Sequence, residues 1–175
     1  YLTNDEAELI GWFLAEGSIN GGRELRIQQS KSKWHMDQLS RCMMACGLDY
    51  RYGVVRSSYI PEFDCQSKPG FLWMVPKGTD RGSKKRNGWW YLNKYLDKNI
   101  SPLLMGLDDE QFDSFLYGLS LGDGATDKMQ KGRRYTIFSA NKIFADRLQA
   151  MCLLRGFRCN VSSIRNVTAV SDGYI

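Results

Sequence analysis

The stretch Leu9-Ile10-Gly11-Trp12-Phe13-Leu14-Ala15-Glu16-Gly17 returns later in the chain as Leu116-Tyr117-Gly118-Leu119-Ser120-Leu121-Gly122-Asp123-Gly124. Each copy is largely apolar and carries one acid immediately before its last glycine. In each, small residues stand four places apart, Gly11 and Ala15 in the first, Gly118 and Gly122 in the second. On a helix these positions share a face and leave a stripe where another backbone can approach closely. The simplest arrangement packs the two stripes on each other, so that Glu16 and Asp123 emerge at the same end of a helix pair.

The surrounding residues repeat as well. Thr3 and Glu6 form a capping box with acids in the first turn, which predicts a helix over 3–16. Asn20-Gly21-Gly22 lies between two short runs and predicts a hairpin within 18–30, with Leu25 and Ile27 alternating with Arg26 and Gln28. A second helix is expected over 32–46, stopped by Gly47. Strands are expected over 50–59 and 71–77, then a charged loop over 78–88 and a third helix over 89–96. From Asp108-Asp109-Glu110-Gln111 the pattern restarts. It gives a capped helix running to Gly124, a hairpin over 125–139 turning near Lys131-Gly132, a helix over 141–154 and a strand over 158–165. The second half thus repeats the first and is expected to stop before its last strand and helix. The reading is an α+β fold of two pseudo-symmetric αββαββα halves, residues 1–100 and 101–175, joined through the repeated helices.

The net charge of +5 favours an anionic partner, and its distribution matters more than its total. Lys77, Arg81, Lys84, Lys85, Arg86, Lys94 and Lys98 outnumber Asp80 and Asp97, while Lys128, Lys131, Arg133 and Arg134 form a second cluster. A solvated surface is the bland alternative for both. The five cysteines form no Cys-x-x-Cys pair, and their odd number argues against a full disulfide framework, so a reducing, intracellular compartment is expected. No apolar run has the length of a membrane span.

The two nine-residue stretches resemble the signature of the LAGLIDADG homing endonucleases, in the form that carries both copies on one chain. Lys98-Asn99-Ile100-Ser101-Pro102 is also similar to the Lys-x-Ile-Pro segment found before the second signature in endonucleases of inteins, with a serine preceding the proline here. The resemblance implies two sheets saddled over the major groove of double-stranded DNA. It also implies a monomer that cuts both strands with Mg2+ (or Mn2+), leaving short 3′ overhangs. Glu16 and Asp123 would hold the metal, which removes the conflict between a carboxylate and the negative end of its helix. Lys98 would be the basic residue of one pocket. Gln29, and Ser139 as its repeat counterpart, would lie near the scissile phosphate. Base readers would be Arg26, Gln28 and Ser30 in one half and Lys128, Gln130, Arg134 and Thr136 in the other. Lys84, Lys85 and Arg86 would contact phosphates and make binding steeply salt-dependent.

Relatives that act as RNA-splicing maturases or transcription regulators keep the fold and often lose the acids. A cleavage-deficient DNA- or RNA-binding protein is therefore the second reading, in which the signature helices only pack. Retention of both acids favours cleavage. An aspartic protease would need its acids on Asp-Thr/Ser-Gly turns, and Glu16 ends a helix instead. His35 is the only histidine, which leaves a histidine-rich metal nuclease without its base.

Overall fold

A computed structural model describes residues 1–29, 32–55, 59–60, 65–66, 70–78, 88–128, 133–164 and 173–174. Ser30, Lys84, Lys85, Arg86 and Gln130 lie outside the described residues, as does the expected turn at Lys131-Gly132. Two compact units are formed: Tyr1–Ala15 with Asn93–Ile175, and Glu16–Leu92.

The first unit is built on the repeated helices. α1 spans Asn4–Glu16 and α3 spans Asp109–Asp123. Both begin with the boxes the residues predict. Thr3 Oγ1 accepts from the Glu6 amide while Glu6 returns a carboxylate to the Thr3 amide, and Asp108 and Gln111 do the same for α3. Their facing sides meet through glycine. A Cβ added to Gly118 would collide with the carbonyl of Glu8 and lie 3.1 Å from the Trp12 nitrogen. One added to Gly11 would collide with the carbonyl of Phe115 and come within 2.7 Å of the Leu119 nitrogen. The two backbones are in contact, and Leu9, Ile10, Phe112, Phe115 and Leu119 are buried along the pair.

α3 passes directly into β7, Gly124–Lys128, which pairs antiparallel with β8, Arg133–Ile137. α4, Lys142–Leu154, follows, capped by Asn141, whose side chain accepts from the Ile143 and Phe144 amides. It ends at Gly156, whose φ of +73° is the left-handed conformation that glycine adopts without strain. The expected strand over 158–165 is confined to β9, Ser163–Ile164. Residues 157–162 form no regular element although Phe157, Cys159 and Val161 alternate with Arg158, Asn160 and Ser162 as a strand would; alternation does not hold a strand without a paired neighbour, and among the described residues the ladder here engages only Ser163 and Ile164. β9 pairs antiparallel with β10, Gly173–Tyr174.

The second unit is a four-stranded antiparallel sheet in the order β1-β2-β6-β3. β1 is Gly17–Asn20, β2 Glu24–Gln29, β3 Arg51–Val55 and β6 Gly70–Pro76; β4, Tyr59–Ile60, and β5, Cys65–Gln66, form a separate two-residue ladder. α2, Lys33–Ala45, packs on the sheet: the Trp73 indole donates to Ser40 Oγ at 3.0 Å, and Leu39, Cys42 and Met43 are buried with Leu25, Ile27, Trp73 and Val75. Residues Trp89–Tyr95 are a 3₁₀ helix, not the α-helix expected. A short run headed by three bulky aromatic residues has weak α propensity and suits the tighter turn. Among the described residues no helix is long and apolar enough to cross a membrane.

Candidate functional site

Glu16 is the last residue of α1 and Asp123 the last of α3, each followed by a glycine that opens a strand. Gly17 pairs with Ile27 and Gly124 with Ile137, so each of the two helices leads into a hairpin through the same kind of junction. Asp123 is exposed and Glu16 half-buried. At the Asp123 junction the chain is held by its own carbonyl, which accepts from the Phe138 amide at 2.9 Å.

The last turn of α1 has a charged cap. Lys98 Nζ donates to the carbonyl oxygens of Phe13 at 2.6 Å and Leu14 at 2.9 Å, and lies 4.8 Å from the centre of the Phe13 ring. The carbonyls at a helix C-terminus have no partners within the helix, and a cation there also satisfies the helix dipole. The turn bearing Lys98 is itself clamped. Arg147 of α4 donates from Nη1 to the carbonyls of Asn99, 2.8 Å, and Ile100, 3.0 Å, while Asn141 Nδ2 donates to Asn99 Oδ1 at 2.7 Å. Ile100 is fully buried and has φ of +64°, a conformation costly for a β-branched residue. Sequence reasoning missed Arg147 and Asn141; a capping asparagine and a helical arginine give no local sign of which carbonyls they will meet.

On β2, Leu25, Ile27 and Gln29 are buried, whereas Gln28 is exposed and Arg26 half-buried. The ladder aligns Gln29 with Phe71 and Val54, Ile27 with Trp73 and Tyr52, and Arg26 with Met74 and Arg51. Arg26, Gln28 and Arg51 thus share the face opposite the buried residues. Glu24 joins two of them, accepting from Arg26 Nε at 2.7 Å and from an Nη of Arg51 at 2.9 Å. The Arg26 hydrogen bond is the main reason that the Glu24 carboxyl is held below its ordinary range; burial opposes it and the Arg51 hydrogen bond assists. Arg51 was not singled out from sequence, because only the pairing of β3 with β6 shows which face it occupies.

In the other hairpin Arg134 is exposed and Thr136 half-buried, two residues apart on β8. The Tyr135 hydroxyl between them donates to Asp113 Oδ1 of α3 at 2.6 Å, which turns Tyr135 to the helix and Arg134 and Thr136 to the opposite face. Lys128 stands opposite Arg133, one position out of phase with Arg134 and Thr136. Ser139 is half-buried and accepts from the Asn141 amide at 3.1 Å. Among the described residues no group of three or more His, Cys, Asp or Glu side chains gathers as a metal cage.

Repeated helices meeting through glycine, each leading into an antiparallel hairpin, define the LAGLIDADG fold, and the solved structures bear this out. Full-length DUF199/WhiA from Thermatoga maritima is similar with a TM-score of 0.56 at 16% identity, covering 99% of this chain and 51% of that one. The chain therefore spans about half the length of that protein. A variant of I-DmoI, in complex with its target DNA nicked in the coding strand and in the presence of manganese, gives 0.56 at 13% identity, covering 98% of this chain and 87% of that one. The N-terminal LAGLIDADG domain of DUF199/WhiA gives 0.52 at 14%, over 99% of this chain and 76% of that one. No protein-family model matches the chain, and no curated protein matches it by sequence.

Proposed function

We propose that this chain is a site-specific DNA endonuclease of the homing type, acting on double-stranded DNA as a monomer with a divalent cation. One observation carries the reading: each signature helix ends on a carboxylate, Glu16 or Asp123, at an equivalent helix-to-hairpin junction. Hard oxygen donors few in number suit Mg2+ or Mn2+, which bind through one or two carboxylates together with phosphate oxygens and water. Glu16 and Asp123 are donors of that kind and would hold such a cation. When bound, the ion activates water and stabilises charge on the leaving oxygen of a phosphodiester.

The protein's own groups do the remaining work. Lys98 neutralises the carbonyl end of α1 next to Glu16 and supplies positive charge near the reacting phosphate. Gln29 is the polar residue in the buried phase of β2. Arg26 and Gln28, on the other face, read base edges, and Arg134 and Thr136 do so in the second hairpin. Lys84, Lys85 and Arg86 contribute phosphate contacts.

The test is selection of cleaved sites from a randomised plasmid library in Mg2+, with EDTA as the control. Linear products with short 3′ overhangs at one enriched sequence are expected. Tight binding to an enriched sequence with no nicking in Mg2+ or Mn2+ would overturn cleavage and leave the second reading, a binding protein of the same fold.

A further inference from the structure

Glu24 ties two arginines together. Its Oε1 accepts from Nε of Arg26 and its Oε2 from an Nη of Arg51, so each carboxylate oxygen has its own guanidinium. The Glu24 side chain is 15% exposed, Arg26 36% and Arg51 77%, which places the acid low on the sheet and the guanidinium groups above it. Arg26 and Arg51 stand in one row across β2, β6 and β3, with Met74 between them. Their backbones are two strand spacings apart, on the order of 10 Å, and the shared acid draws the heads of the side chains towards each other.

An ion-pair triad this exposed adds little to folding. What it determines is direction. Arg26 uses Nε for the pair with Glu24, and that bond does not engage its terminal Nη fork, whereas Arg51 gives one terminal nitrogen to Glu24 and has its remaining N–H groups for a single base acceptor. A planar fork held in place before binding has lost rotamer freedom in advance and matches the O6 and N7 acceptors of guanine in the major groove.

We infer that Glu24 is a positioning residue that aims Arg26 and Arg51 at guanine bases, which makes this row of the sheet a guanine-reading site for duplex DNA. The inference rests on the DNA-binding reading above and adds to it the base identity, Arg51 as a reader and Glu24 as the residue that sets both.

The experiment is binding selection from a randomised duplex library, with sequencing, on the full chain and on Arg26→Lys, Arg51→Ala and Glu24→Gln. Wild type is expected to enrich a sequence containing guanines. Arg26→Lys keeps the charge and loses the fork, and its preference at one guanine should fall about ten- to a hundredfold. Arg51→Ala should relax a neighbouring guanine. Glu24→Gln should relax both, while its affinity for unselected duplex holds or rises because a negative charge has been removed; a purely structural role would weaken all binding together. Variants that enrich the same guanines as wild type overturn the inference and leave DNA binding intact. Wild type that binds no duplex overturns both.

Discussion

Gly118 of α3 lies directly against the main-chain carbonyl of Glu8 in α1, so close that one added methyl group would overlap that oxygen. Backbone atoms cannot move aside as a flexible side chain can, and the helices would have to separate along the buried row of Leu9, Phe112 and Leu119. Gly118→Ala should therefore cost about 1–3 kcal/mol, despite the helix propensity that alanine adds. Gly106→Ala is the control, since a Cβ there meets nothing within 4 Å. Thermal or denaturant unfolding checks the pair, and equal midpoints would show that the helices have slack.

Lys98→Met keeps most of the apolar stem and removes the ammonium that caps Phe13 and Leu14. Two carbonyls lose a charged donor, at a net cost of about 1–3 kcal/mol. If Lys98 also serves cleavage, the single-turnover rate falls in protein kept fully folded at low temperature. A stability loss with an unchanged rate would assign Lys98 to capping alone.

Arg147→Gln and Asn99→Ala both loosen the turn that holds Ile100 at positive φ, and Asn99→Ala removes the acceptor of Asn141 Nδ2 while leaving the Asn141 cap on α4 in place. Each should destabilise by roughly 1–3 kcal/mol. The double variant should cost less than the sum, because once the turn relaxes the second clamp has nothing left to hold. Strict additivity in urea unfolding would show that the two act independently.

Burial of the Cys152 thiol pushes its pKa up to about 12, with Cys159 beside it adding to the shift and Arg155 opposing it. A group whose protonated form is favoured in the fold contributes stability that is fully present below its unfolded pKa, about 8.5, and lost as pH rises towards the folded value. Native Cys152 should thus alkylate far more slowly than an unfolded thiol at pH 8. Cys152→Ala should flatten the loss of stability between about pH 8.5 and 11. Rapid alkylation of Cys152 in native protein, located by mass spectrometry, would contradict this.

Glu16→Gln and Asp123→Asn keep the size of each side chain and remove the charge that would hold a cation. Double-strand cleavage should be lost in both, while affinity for the selected site stays within about tenfold, because base reading lies elsewhere. Full cleavage by either variant would remove that acid from the chemistry.

Much of this was legible in the residues. Gly11 and Gly118 stand out because small residues recur one helical turn before Ala15 and Gly122, and the backbones meet at the two named glycines. The caps at Thr3 and Asp108 and the stops at Gly47 and Gly156 were equally plain, since each depends on atoms within a few residues. The sequence was weaker where a segment is short. The run 89–95 winds as 3₁₀, and within 158–164 only Ser163–Ile164 is a strand although Cys159 and Val161 alternate with polar residues, because a short stretch takes its form from the packing and strand partners it finds.

By itself, then, the sequence determined which residues begin and end the repeated helices and that an acid closes each of them, because capping and periodicity are local. Only the tertiary structure decided what Lys98, Arg147 and Glu24 do. Their partners, Phe13, Asn99 and Arg51, are distant along the chain, and a long charged side chain has no period that names the carbonyl or carboxylate it will reach. Strand pairing and helix contact supply that choice, bringing the ends of a Lys98–Phe13 or Glu24–Arg51 pair within hydrogen-bond distance.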